Sequence, residues 1–167
     1  MTATYEPISA QTLGTATAAI SFTSIPQTYT DLFLVCNLGM ATIDSSALIT
    51  FNDDTANNYS ETWLYENGSP VSTRSSNRAN IYMNANVGSS TAVETLTTTN
   101  IQNYSNTTTY KTTLGRANRA STAGSYEGVE AMVGLWRSTS AITKITITGQ
   151  SNLIVGSTFT LYGIKAE

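Results

Sequence analysis

The sequence predicts an all-β domain of about nine or ten strands, arranged as a sandwich or a barrel. Three observations lead there. Apolar residues and threonines alternate with period 2 in several short runs, clearest from Ile145 to Thr148 and from Phe159 to Leu161, the pattern of a sheet with one wet face. Only 11% of residues are charged, against about 25% in ordinary soluble domains, so the abundant Thr, Ser and Asn supply the polar surface. Threonine's branched Cβ suits a pleated, half-buried sheet. Clusters of turn-forming residues separate the apolar runs at regular spacing. The 167 residues form a single domain, 1–167, that buries roughly 68–70% of its unfolded surface, and no change of composition marks a second.

Taken in order, the segment from Ala18 to Thr23 places Ile20 and Phe22 on one face, and Pro26 ends that strand because proline cannot donate to a ladder. From Asp31 to Met40 the chain is apolar on both faces, with Leu32, Leu34, Cys36 and Leu38 opposite Phe33 and Val35. That predicts a central strand covered above and below. Ala47 to Asn52 alternates again with Ile49 and Phe51 inward. After the loop "NDDTANN" (Asn52 to Asn58), a strand from Tyr59 to Glu66 sets Tyr59, Trp63 and Tyr65 on one face with Glu61.

Asn67 to Arg78, "NGSPVSTRSSNR", is the longest polar connection and reads as a surface loop, the kind of segment that most often carries function. "NIYMNA" is a short strand around Ile81 and Met83, with "NVGSS" as a turn. Val93 to Tyr104 is an extended, mostly polar strand suited to a sheet face in water. After the turn "SNTT" comes "TYKTTLGRA", with Tyr110, Thr112 and Leu114 aligned. In "YEGVEAMVGLWRS", Val129, Met132, Val133 and Trp136 fit a helix face, but Gly128 and Gly134 each cost about 1 kcal/mol in a helix. Val129, Ala131, Val133 and Leu135 make a strand face, and strand is the preferred reading. Residues 134–167 then form three strands joined by two polar turns.

Composition removes several functions. The chain contains no histidine, which excludes Ser-His and Cys-His nucleophiles and His-based zinc sites. Its net charge of −3 and scattered basic residues do not suit a sequence-independent nucleic-acid binder. No apolar run approaches the roughly 18 residues of a membrane span, and the N-terminus lacks the regions of a signal peptide. Cys36, the single cysteine, sits in "LFLVCNL" and reads as a small buried hydrophobe. No phosphate-binding glycine motif is present, and no cofactor is expected.

Some candidates remain. Asp53, Asp54, Glu61, Glu66, Glu94, Glu127 and Glu130 offer carboxylate pairs of the kind a glycosidase uses, although solvated charges account for them. The Asn52 to Asn58 loop carries oxygen ligands for calcium but lacks the spacing of an EF-hand. Trp63, Tyr65 and Trp136 offer flat faces for a sugar, or else belong to the core. The triplets "NYS", "NGS" and "NTT" follow from composition. No catalytic, cofactor or metal residue is assigned, and any ligand-binding residues stay unknown.

In this order, "TYEPISAQTLG", "ISFTSIPQTYTDLFLV", "ITFNDDTANNYSETWLYENGS", "NIQNYSNTTTYKTTLGR", "VGLWRSTSAITKITI" and "GSTFTLYGIKA" resemble small virion-associated structural proteins of tailed bacteriophages and prophages. These pieces cover most of the chain. The resemblance implies an antiparallel β-sandwich of jelly-roll type, without enzymatic activity, displayed on a virion assembled in the bacterial cytoplasm. It implies capsid or tail proteins as partners, as in capsid decoration or a tail-associated subunit, while charge and hydropathy give the expectation of no nucleic-acid or membrane partner. The alternative is an adhesin whose loops bind a surface glycan. Unprotected edge strands with few lysines add the expectation of a homo-oligomer, a trimer by preference.

Overall fold

The computed structural model describes residues 4–66, 70–84, 91, 94–119 and 128–165. These contain no helix and form twelve strands, all paired antiparallel. In chain order they are β1 (Tyr5–Thr12), β2 (Thr17–Phe22), β3 (Asp31–Leu38), β4 (Ala47–Phe51), β5 (Tyr59–Glu66) and β6 (Pro70–Arg78). The others are β7 (Ile81–Tyr82), β8 (Thr95–Gln102), β9 (Lys111–Arg119), β10 (Gly128–Trp136), β11 (Ile145–Leu153) and β12 (Thr158–Ile164). They build two sheets, an eight-stranded one ordered β1-β12-β3-β8-β9-β10-β5-β6 and a four-stranded one ordered β2-β11-β4-β7.

Setting aside the hairpins β5–β6 and β9–β10 leaves β1-β12-β3-β8 facing β2-β11-β4-β7. That nested order is the double Greek key of a jelly roll. The two hairpins then extend one sheet sideways, well past the width of the other.

The core follows from alternation. In the small sheet, Ile20, Ile147, Ile49 and Ile81 form one cross-strand row, and Phe22, Ile145 and Phe51 form the next. Against them lie Leu32, Leu34, Cys36 and Leu38 of β3 and Phe159 and Leu161 of β12, all buried. Burial also pushes the Cys36 thiol up to about 12, so it remains a neutral packing group at physiological pH.

Two strands lie outside the expected set: β1, where no element was assigned, and β6, within a stretch expected as a loop. β1 carries Pro7 beside a register shift, and β6 begins at Pro70 within the stretch read as the surface loop 67–78; residues 67–69 lie outside the described residues. Both are the outermost strands of the large sheet, where proline is tolerated because one side of the ladder is free. Their addition raises the expected nine or ten strands to twelve. The expected turn "NVGSS" also lies outside the described residues.

Two expectations about faces change, and a third strand, β9, gains its orientation. β3 is central but not covered on both sides: its Leu and Cys face is fully buried, while Phe33 and Val35 are half-buried. β8 faces water on one side only: Thr95, Thr97, Thr99 and Ile101 are buried, while Leu96 and Gln102 are exposed. On β9 the aligned Thr112 and Leu114 point outward, and Lys111, Thr113, Gly115, Ala117 and Arg119 line the inner face. The last three strands do not pair with one another: β10 and β12 belong to the large sheet and β11 to the small one.

Candidate functional site

Asn52 to Asn58 is a loop as expected, but its polar groups face the protein. Asn52 and Asp53 both take left-handed backbone angles (φ 52° and 58°), a region where Asn and Asp are enriched. That turn aims the Asn52 side chain at the segment before β11, where its Oδ1 accepts from the amides of Thr143 (2.9 Å) and Lys144 (3.1 Å) and its Nδ2 donates to Ala141 O. Asp53 pairs with Lys144 at 2.7 Å. Asp54 accepts from Trp136 Nε1 (2.7 Å), Asn58 Nδ2 (2.9 Å) and Ala56 N (2.9 Å). Burial pushes its carboxyl up, yet these bonds together outweigh burial and hold it below the usual aspartate range. The loop is therefore a clasp between β4, β5 and the chain around 136–144. The described residues bring no three acidic side chains together in a metal-binding group.

Two of the three aromatic candidates, Trp63 and Trp136, are core residues, and Tyr65 is half-buried against the Trp63 cluster. Trp136 is 2% exposed and stacks on Tyr59 at a centroid distance of 6.2 Å, with Phe51 at 5.5 Å from Trp136. Trp63 is 9% exposed and packs with Met132 and Ala117 against Tyr65 and Tyr82. Neither tryptophan offers a face to a sugar.

The carboxylates separate similarly. Glu61 and Glu130 are buried on the inner faces of the adjacent strands β5 and β10. Glu61 Oε2 accepts from Tyr82 N at 2.7 Å, and Arg78 Nε lies 3.1 Å from its Oε1, an ion pair without hydrogen-bond geometry. Burial pushes the Glu61 carboxyl up, against the opposing pull of Tyr82 N and Arg78. Glu61 thus anchors the short strand β7 beneath β5. Glu94 accepts a hydrogen bond from Asn37 at the surface. Glu127 lies outside the described residues.

The feature that sequence reading missed is on the outer face of the large sheet. Leu64, Leu96, Leu114, Val129 and Val133 are each 41–60% exposed. Register places them as neighbours. One cross-strand row runs Leu96, Asn118, Val129; the next runs Thr98, Arg116, Ala131, Leu64, Ser72; a third runs Asn100, Leu114, Val133, Thr62. Four strands about 4.8 Å apart and three rows about 6.8 Å apart give a face on the order of 400 Å², about half of whose positions are apolar.

The first two rows line an open groove of about 950 Å³. Its walls are Leu64, Leu96, Val129 and Ala131, and Thr98, Asn118 and Ser72 add neutral polar groups. Half-buried Tyr65 also lines it, and among the described residues so do two charged ones: Glu130, whose side chain turns inward, and Arg116, which is exposed on the outer face with Nε donating to Thr98 Oγ1 at 3.3 Å. An apolar trough with one cation fits an apolar protein segment that carries one acidic group better than it fits a sugar. The signal was present in the sequence as the face Val129, Ala131, Val133, Leu135, which alternation identified but could not orient. No protein-family model and no curated protein matches the chain.

Proposed function

We propose that this protein is a non-enzymatic structural component of a bacteriophage particle, displayed on its surface as a capsid decoration protein or a tail-associated subunit. The observation that carries the reading is the apolar outer face of β8, β9, β10 and β5, with its groove, on a domain whose loop and aromatic candidates are engaged in holding the fold together. A wide, rigid, antiparallel sheet with an apolar face is a docking platform. The fold is compatible with many functions, so the phage setting rests on the sequence resemblance.

The test is biochemical. Particles purified from a strain that carries this gene within a phage or prophage are expected to contain the protein, and the purified protein is expected to sediment with capsids or tails from a deletion strain. Arg116→Glu and Val129→Asp variants are expected to lose that binding while melting normally. Absence of the protein from purified particles by mass spectrometry, together with no sedimentation, sinks the proposal.

A further inference from the structure

We infer that the groove receives the Ile43–Asp44 turn of a second copy of this chain, so that copies join head to tail. This contact rests on the structural role proposed above and supplies its self-assembly step. Residues 41–44, between β3 and β4, are all exposed; Ile43 is 58% exposed, and the acidic Asp44 follows it. Neither Asp44 nor Arg116 is engaged in an ion pair with another described residue. An apolar side chain beside a carboxylate complements an apolar trough beside a guanidinium in polarity and charge.

The turn is held ready. Ala41 N donates to Asn152 O (2.9 Å), Thr42 N to Ser151 Oγ (3.1 Å) and Ser46 N to Gln150 Oε1 (3.0 Å), fixing both its ends to β11. A tip fixed in this way loses little conformational freedom on docking.

Asn37 pairs with Leu96 and Leu38 with Thr95, so β3 ends beside the groove's first row and the turn lies on the segment that leaves it. Turn and groove are different surfaces of the molecule, so the contact is heterologous. The groove's concavity opposes the alternative of two identical outer faces packed flat together, which would trap a void.

The experiment is sedimentation of the whole protein from micromolar to near-millimolar concentration. A contact of this size belongs to the weak class, below about 1,200 Å² in total, so the wild type is expected to associate reversibly as concentration rises. Arg116→Glu and Asp44→Lys are each expected to weaken association at least about tenfold, by juxtaposing like charges, and the double variant is expected to restore it. Asp44 sits at φ 62°, where lysine is less at ease than aspartate, so Asp44→Asn serves as a second variant that removes the charge and keeps the backbone preference. A wild type that is monomeric throughout overturns the inference, as does association insensitive to Arg116→Glu and Asp44→Asn. A monomeric protein that still sediments with particles, and loses this with Arg116→Glu, places the scaffold in the groove and leaves the structural role standing.

Discussion

Replacing Asp54 tests whether the 52–58 loop is a clasp. Its carboxylate accepts three hydrogen bonds, from Trp136 Nε1, Asn58 Nδ2 and Ala56 N. In Asp54→Ala the indole N–H of Trp136, a residue only 2% exposed, loses its acceptor; a buried donor left unsatisfied costs about 1–3 kcal/mol. The other two donors lie nearer solvent and add roughly 0.5 kcal/mol each once water replaces the carboxylate. The sum is about 2–4 kcal/mol, or a melting temperature lower by roughly 4–16 °C for a domain of this size.

The pH dependence has a definite sign. A carboxyl held below its unfolded value contributes stability above the unfolded aspartate range and loses it as pH falls through the folded value. Asp54→Asn, the neutral isostere, is therefore expected to be less stable than wild type at pH 7 and to converge on it in acid. Urea unfolding at pH 7 and near pH 3 measures both quantities. A penalty for Asp54→Ala below about 1 kcal/mol, or a wild-type advantage over Asp54→Asn that persists unchanged into acid, refutes the clasp.

Two further substitutions probe the sheets. A Cβ at Gly163 on β12 would stand 2.3–2.4 Å from the ring atoms of Tyr29, whose hydroxyl donates to Glu6 Oε2 at 3.2 Å. Gly163→Ala is expected to cost about 1–3 kcal/mol by overpacking, and most of that cost should vanish when Tyr29→Ala is already present; additive losses in the double-mutant cycle refute the contact. Lys111 is fully buried on the inner face of β9, its Nζ donating to Thr109 O (2.8 Å) and Thr139 O (3.3 Å), and burial pushes its pKa down. Because the unfolded chain then binds more protons, wild-type stability gains from Lys111 as pH rises toward the ordinary lysine range. The stability of Lys111→Met relative to wild type should therefore fall between neutral pH and pH 10, and a flat difference in paired unfolding curves contradicts the burial of the ammonium.

Much of the fold was legible, and the omissions share a cause. The strands recognised in advance are those with a face that must be apolar, such as Leu32, Leu34 and Cys36 on β3 or Ile49 and Phe51 on β4. The two that were missed, β1 and β6, are the edges of the large sheet, where one side of the ladder is unpaired and prolines are tolerated. Without alternation, "PVSTRSSNR" has the composition of a loop, and only its pairing with β5 from Glu66 to Tyr59 makes it a strand. Trp63 and Tyr65 were legible as residues sharing a strand face, but the burial of Trp63 and Trp136 depended on β7 and β4 packing across from them.

The sequence by itself determined the all-β class and most of the strands, because period-2 alternation and turn chemistry are local properties. Only the tertiary structure decided which face of β9 and β10 looks inward. Alternation assigns residues to two sides and leaves the sides unlabelled; register with the neighbours labels them, and a slip of one residue would exchange them. Here the row from Leu32 through Ile101 and Thr113 to Gly134 continues the buried face of β3. At Gly134 a Cβ would stand 2.4 Å from Thr113 Oγ1 and 2.7 Å from Ile81 Cδ1, so glycine is what lets β7 approach. Gly115, Ala117 and Gly134 went inward together with Met132 and Trp136, and Leu114, Val129 and Val133 were left outside to form the face on which the proposed function rests.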